Sequence, residues 1–125
     1  MTALARVTVE DHGEIPVVAI EGEIDASNAI ELRRAIGAAA PNRVSALVVD
    51  LTAVDYVDSA GINLLFALGA ELRDRQQCLH IAVDETSPVA RMLEISGLAA
   101  VERTDPTRAA AVASAEAGSR SGDPT

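Results

Sequence analysis

The chain has 125 residues, which suits one compact domain with a core of its own. Its formal net charge is -9, so it lacks the basic surface that nucleic acids and anionic membranes attract, and we expect neither as a partner. Aromatic residues make up only 2% of the chain, which leaves the core to Val, Leu, Ile and Ala.

The first residues contain no apolar segment of the kind found in signal peptides. No apolar run approaches the roughly 20 residues that cross a bilayer. We therefore expect a cytoplasmic protein. The single cysteine, Cys78, cannot form an internal disulfide, and we expect it to be a small buried residue.

The first third of the chain predicts a β-hairpin followed by a helix. The segments ALARVTVED and IPVVAIEGEI are rich in β-branched residues, and the Asp-His-Gly between them suits a hairpin turn. Helical spacing then places four apolar residues on one face, Ala29, Leu32, Ile36 and Ala39. We expect Ser27 or Asp25 to cap this helix and Pro41 to mark its end.

The central segment VSALVVDL is a near-continuous apolar run, typical of a strand that is buried on both faces. We expect Asp50 to be a polar residue at the end of this strand. The helix that follows begins near Ser59, and the spacing of Leu65, Leu68 and Leu72 gives it one apolar stripe.

The last third predicts a strand in CLHIAV, a short helix in SPVARMLEISG and a final strand in LAAVER. Ser87 suits the cap of that helix, Pro88 its first turn and Gly97 the position just past its end. Residues 1–105 are expected to form the domain. Residues 106–125 are expected to form a weakly docked Ala-rich helix and, from about Gly118, a disordered tail.

The order of elements predicts an α/β fold. It has a mixed, mostly parallel sheet of four to five strands, with an N-terminal β-hairpin and three to four helices. In such a sheet the second and third strands end at the same edge. Asp25 and Ser59, which follow those two strands, are therefore expected to be neighbours.

Ser59 lies in the stretch YVDSAGIN, where a strand gives way to a helix. A hydrolase nucleophile in such a turn needs Gly two residues earlier, where this chain has Val57, and neither His12 nor His80 is aimed at the serine. The chain has no Lys for a phosphate-binding loop and no close metal-ligand spacing. We expect no enzyme, no metal and no cofactor, which leaves Ser59 as a helix cap or a site of modification.

Two segments together resemble a known family. EGEIDASNAIELRRAI and LVVDLTAVDYVDSAGINLL are similar to the STAS domain, the fold of bacterial anti-sigma factor antagonists. The matching motifs are Gly-Glu-Ile-Asp, ending at Asp25, and Asp-Ser-Ala-Gly-Ile, beginning at Asp58. The resemblance extends over residues 4–104 and implies the STAS fold.

The resemblance also implies a function. In that family the matching serine, here Ser59, is phosphorylated by an anti-sigma factor that is also a serine kinase, and a PP2C-type serine phosphatase removes the phosphate. The unphosphorylated antagonist binds the anti-sigma factor and frees a sigma factor. The residues expected at this contact are Asp25, Asp58, Ser59, Ala60, Gly61, Ile62 and Asn63. The alternative is a STAS interaction module in another bacterial stress-signalling or lipid-transport complex.

Overall fold

The structure, a computed structural model, describes residues 4–121. This part of the chain contains five strands and five helices. In order they are β1 (Ala5–His12), β2 (Ile15–Ile24), α1 (Ala29–Ala38), β3 (Ala46–Val57), α2 (Ser59–Asp74), β4 (Cys78–Ala82), α3 (Pro88–Ile95), α4 (Leu98–Val101), β5 (Arg103–Asp105) and α5 (Arg108–Ser121).

The strands form one sheet in the order β1-β2-β3-β4-β5. Strand β1 is antiparallel to β2, and the remaining neighbours are parallel. The predicted mixed sheet with an N-terminal hairpin is confirmed. Each parallel crossover moves one strand further in the same direction, and right-handed crossovers of this kind place their helices on one face of the sheet.

Each face of the sheet has its own apolar cluster. Alternate residues of β3 divide between them: Leu47, Val49 and Leu51 face the layer formed by α1 to α4, while Ala46 and Val48 face α5. The central strand is therefore buried on both sides, as its apolar run predicts. The predicted stripe of α2 is buried in the larger cluster, as are Ala29, Leu32 and Ile36 of the α1 stripe. Ala39, the fourth residue of that stripe, lies just past the end of α1 and is half-buried.

Helix α5 corrects the expectation of a weakly docked C-terminal segment. Its residues Ala111, Val112 and Ala115 are buried against the sheet, opposite small residues such as Ala46 and Ala82. Small side chains on both surfaces allow the helix backbone to approach closely, so an Ala-rich helix packs well here. Residues 118–121, expected to be disordered, continue the helix, and the rest of the predicted tail lies outside the described residues.

The prediction of a single strand in the segment LAAVER is wrong. Gly97 adopts a left-handed conformation with φ of 86°, and the chain then forms the short helix α4, whose Leu98 is fully buried. Strand β5 begins only at Arg103. Leu98 belongs to the larger core cluster, and the short helix that carries it is not predicted by the sequence pattern.

Two single-residue expectations are also wrong. Asp50 lies within β3, which continues to Val57, and its buried carboxylate accepts hydrogen bonds from Thr52 and from Nε of Arg108. Cys78 is exposed, because it opens β4 before that strand enters the core.

Candidate functional site

The C-terminal ends of β2 and β3 meet at one edge of the sheet. Ile24 pairs with Val57 at the end of the parallel ladder, and the amide of Asp58 donates to the carbonyl of Ile24 at 3.2 Å. The loop that starts at Asp25 and the turn that holds Ser59 are thus joined by a backbone hydrogen bond. The sequence-based expectation that these two segments are neighbours agrees with this geometry.

Asp58, not Ser59, caps helix α2. Its Oδ1 accepts from the amides of Ala60 at 2.9 Å and Gly61 at 3.2 Å. Ser59 is the first residue of the helix and is exposed. The assignment of the cap to Ser59 is therefore wrong by one residue, since the acid before it has the extended backbone that a cap requires.

Gly61 is required by packing rather than by access for a partner. A Cβ on this residue would lie 2.9 Å from Cγ2 of Ile24 and closer still to Cγ2 of Val57. Gly61 is buried, and so is Ile62. These two predicted contact residues therefore hold α2 onto the strand ends and offer no surface to a partner.

The loop after β2 is held by its own polar side chains. Oδ1 of Asp25 accepts from the amide and the hydroxyl of Ser27, at 2.8 and 2.6 Å. The side chain of Asn28 accepts from the amide of Asp25 and donates to the carbonyl of Glu23. The hydrogen bond from the Ser27 hydroxyl, followed by that from its amide, lowers the pKa of Asp25 below its ordinary value. Asp25 is therefore an anion at neutral pH.

The exposed part of the edge combines acids, a free hydroxyl and apolar side chains. Ser59 and Asn63 are exposed, and Asp25, Asp58 and Ala60 are half-buried. We define the docking edge as these five residues together with two exposed apolar residues that the sequence analysis missed, Ile30 in the first turn of α1 and Tyr56 near the end of β3.

Ile30 and Tyr56 are 68% and 51% exposed, which is unusual for side chains of their size. Ile30 lies in the first turn of α1, off the buried stripe that includes Ala29 and Leu32. Tyr56 precedes the last residue of β3. A signal was present for Ile30, because the periodicity that predicts the buried stripe of α1 also shows that Ile30 lies outside it.

The described residues place no histidine beside Ser59 to act as a general base. His12 ends β1 in the hairpin, and His80 is buried within β4, where burial lowers the pKa of its imidazole. Residues 4–121 contain no group of three His, Cys, Asp or Glu side chains arranged to hold a metal ion. In the same range, no helix is both long enough and apolar enough to cross a bilayer.

Comparisons with known proteins find relatives that share this fold. A crystal structure of an anti-sigma factor antagonist from Mycobacterium paratuberculosis has a TM-score of 0.80 and 30% sequence identity, over 90% of this chain and 94% of that one. A STAS domain protein from Planctomyces limnophilus, at 17% identity, shares the fold with a TM-score of 0.71 over 90% of this chain and 99% of its own.

The anti-sigma-F factor antagonist RsfB of Mycobacterium tuberculosis is 41% identical over 66 residues. That alignment includes 53% of this chain and 54% of RsfB, so the chain spans about half the length of this curated relative. The family model described as Mlab, STAS domain matches residues 7–103, which include both strand ends and the start of α2. The chain belongs to the STAS domain family.

Proposed function

We propose that this protein is an anti-sigma factor antagonist that binds an anti-sigma factor through the docking edge and thereby releases a sigma factor in the cytoplasm. The similarity to the antagonists from the two mycobacteria supports this function. The observation that carries it is the exposed hydroxyl of Ser59 at the first position of α2, directly after Asp58 and at the same edge of the sheet as Asp25.

Phosphorylation of Ser59 turns the antagonist off in this proposal. Within the described residues, no side-chain hydrogen bond of Ser59 competes with modification. The loop 25–28 and the turn 58–63 contain two Asp residues and no cation. A phosphate adds about -1.5 to -2 charges at neutral pH and would lie beside the carboxylates of Asp25 and Asp58.

The cap of α2 makes this charge hard to neutralise. Asp58 already occupies the amides of Ala60 and Gly61, and the amide of Ile62 bonds to the carbonyl of Asp58. The helix N-terminus therefore has few free donors for a phosphate on Ser59. Burying such an anion against a partner without a matching cation is costly, so phosphorylation blocks docking while the fold stays intact.

The serine is a substrate rather than a catalyst in this account. We propose that the anti-sigma factor itself is the serine kinase and that a PP2C-type serine phosphatase reverses the reaction. His12 and His80, the two histidines of the chain, lie in β1 and β4 away from Ser59, which supports a binding module over a serine hydrolase of the Ser-His type.

The experiment is affinity capture from lysate of the source organism with four forms of the protein: wild type, Ser59→Ala, Ser59→Glu and Ser45→Glu. Ser45 is exposed just before β3, at the opposite end of that strand from Ser59, so Ser45→Glu adds the same charge away from the docking edge. We expect wild type, Ser59→Ala and Ser45→Glu to capture a protein that itself binds a sigma factor, and Ser59→Glu to lose it. Equal capture by all four forms would contradict the switch.

A further inference from the structure

Strand β1 lies at one edge of the sheet, and within the described residues it pairs only with β2. The two-residue turn of the hairpin is closed by the pair His12 and Ile15, and at the other end the amide of Glu23 donates to the carbonyl of Leu4. Antiparallel ladders alternate between pairs that exchange hydrogen bonds and pairs that do not. Even-numbered residues of β1 therefore bond to β2, and odd-numbered residues direct their backbone N–H and C=O groups outward.

We propose that this outer edge pairs with the same edge of a second copy of the chain. The two β1 strands run antiparallel about a twofold axis at Thr8, and the two sheets become one continuous sheet. An unpaired strand edge is a ready template for such pairing. The backbone groups that become paired belong to Ala5, Val7, Val9 and Asp11.

Charge complementarity selects the register. With the axis at Thr8, Arg6 lies opposite Glu10 of the second copy, and symmetry forms this pair twice. Moving the axis to Val7 places Arg6 opposite Thr8, and moving it to Val9 places Arg6 opposite His12. Opposite charges directly across an antiparallel pair are stabilising, so the Thr8 register is favoured.

The two faces of β1 suit the same register. Glu10 forms an ion pair with Arg108 of α5, which places the even-numbered residues on the α5 side of the sheet. Val7 packs against the helical core on the opposite side, where Val9 is 53% exposed. The Thr8 register places Val9 against Val7 of the second copy and removes apolar surface from water.

Charged residues on a strand edge usually oppose pairing. Here Arg6 and Glu10 are complementary across the axis in the Thr8 register, and the shifted registers lose this pair, so the charges favour one register. The dimer does not depend on the proposed function. Ala5, which pairs with Gly22, lies toward the docking edge, so antiparallel β1 strands place the two docking edges at opposite ends of the joined sheet. Both remain accessible to partners.

The test uses the fact that only this register places Thr8 directly opposite Thr8 of the second copy. Sedimentation velocity on the whole chain, from about 1 µM to about 1 mM, is expected to show a reversible dimer. Thr8→Glu and Thr8→Arg each place like charges across the axis and are expected to weaken the dimer at least about tenfold. An equimolar mixture of the two variants is expected to restore it. Ala35→Glu, on the exposed face of α1, is the matched control and is expected to dimerise like wild type.

Val9→Pro provides a second variant. It removes an outward N–H while leaving the bonds to β2 intact, and edge strands tolerate proline at such positions. Circular dichroism is expected to show a native fold together with loss of the dimer. A wild type that stays monomeric throughout would overturn the proposal. So would a dimer that survives Thr8→Glu, Thr8→Arg and Val9→Pro, or a mixture of the charge variants that stays monomeric.

Discussion

The amide of Asp58 donates to the carbonyl of Ile24 across the ends of two parallel strands, at 3.2 Å. This bond joins the turn that carries Ser59 to the loop that begins at Asp25. The position of the serine relative to that acid is therefore set by the sheet rather than by mobile side chains. The backbone around Ser59 is fixed by the sheet before any charge is added there. We therefore expect an added charge to change binding and not folding.

The capping role of Asp58 predicts that replacing Asp58 destabilises the fold more than replacing its neighbour Ser59. Asp58→Ala removes the acceptor for two helix amides, and we expect it to lower the free energy of unfolding by about 0.5–2 kcal/mol. Ser59→Ala removes no cap, and we expect a change within about 0.5 kcal/mol. Chemical denaturation of both variants measures the contrast. Asp58→Asn, which keeps a capping oxygen, is the control. If Ser59→Ala lowers the free energy of unfolding as much as Asp58→Ala does, the assignment of the cap to Asp58 is contradicted.

The packing around Gly61 predicts that even a methyl group is too large there. Gly61→Ala forces the new Cβ against Val57 and Ile24, and we expect a loss of about 1–3 kcal/mol. Gly37→Ala is the matched control, because that glycine is also helical and has open space around it. We expect the control to be about 0.5–1 kcal/mol more stable than wild type. If both substitutions stabilise the protein in thermal unfolding, the close contact at Gly61 is refuted.

The carboxylate of Asp50 predicts a pH dependence. Burial raises the pKa of Asp50, but hydrogen bonds from the Thr52 hydroxyl and amide, and the hydrogen bond and charge of Arg108, outweigh burial, so the pKa lies below its ordinary value. The unfolded chain then binds this proton more readily than the folded one. The stability contributed by the carboxylate is present above the unfolded-state pKa of about 3.9 and is lost as the pH falls through the lower folded-state value.

Asp50→Asn removes this titration. We expect the difference in unfolding free energy between wild type and Asp50→Asn to be largest at neutral pH and to shrink as the pH falls below about 5. Urea denaturation of both proteins across this range measures the difference. The pKa values of Asp25 and Asp84 are also lowered by local hydrogen bonds, but these groups are common to both proteins and cancel. A gap that is constant with pH would contradict the lowered pKa of Asp50 in the folded protein.

Much of the fold could be predicted because its signals are local and periodic. The apolar stripe of Leu65, Leu68 and Leu72 and the two-sided burial of β3 follow from spacing alone. The juxtaposition of Asp25 and Ser59 followed from topology, since parallel strands end at the same edge. The seven-residue contact list came from family resemblance. The structure divides this list into two groups: Gly61 and Ile62 are buried, and the other five residues are exposed or half-buried.

The errors arose where a partner distant in the sequence decides the outcome. The strand-end position predicted for Asp50 is wrong because β3 continues to Val57, and nothing near Asp50 predicts its partner Arg108, which lies 58 positions away. Helix α5 was expected to dock poorly because its own pattern is nearly all Ala, and only the small residues of the sheet beneath it explain the fit. The cap was misplaced because Asp and Ser are adjacent and both are good capping residues.

The most direct test of the central claim compares Ser59 with and without phosphate in one binding measurement. Isothermal titration calorimetry of both forms against the purified anti-sigma factor gives the affinities, and ¹H–¹⁵N spectra of both forms report the fold. We expect phosphorylation to weaken binding at least about 100-fold, since an unpaired buried charge costs several kcal/mol. Spectral changes should stay near the loop 25–28 and the turn 58–63. Unchanged affinity, or a spectrum altered throughout the sheet, would contradict a switch that acts by blocking the docking edge.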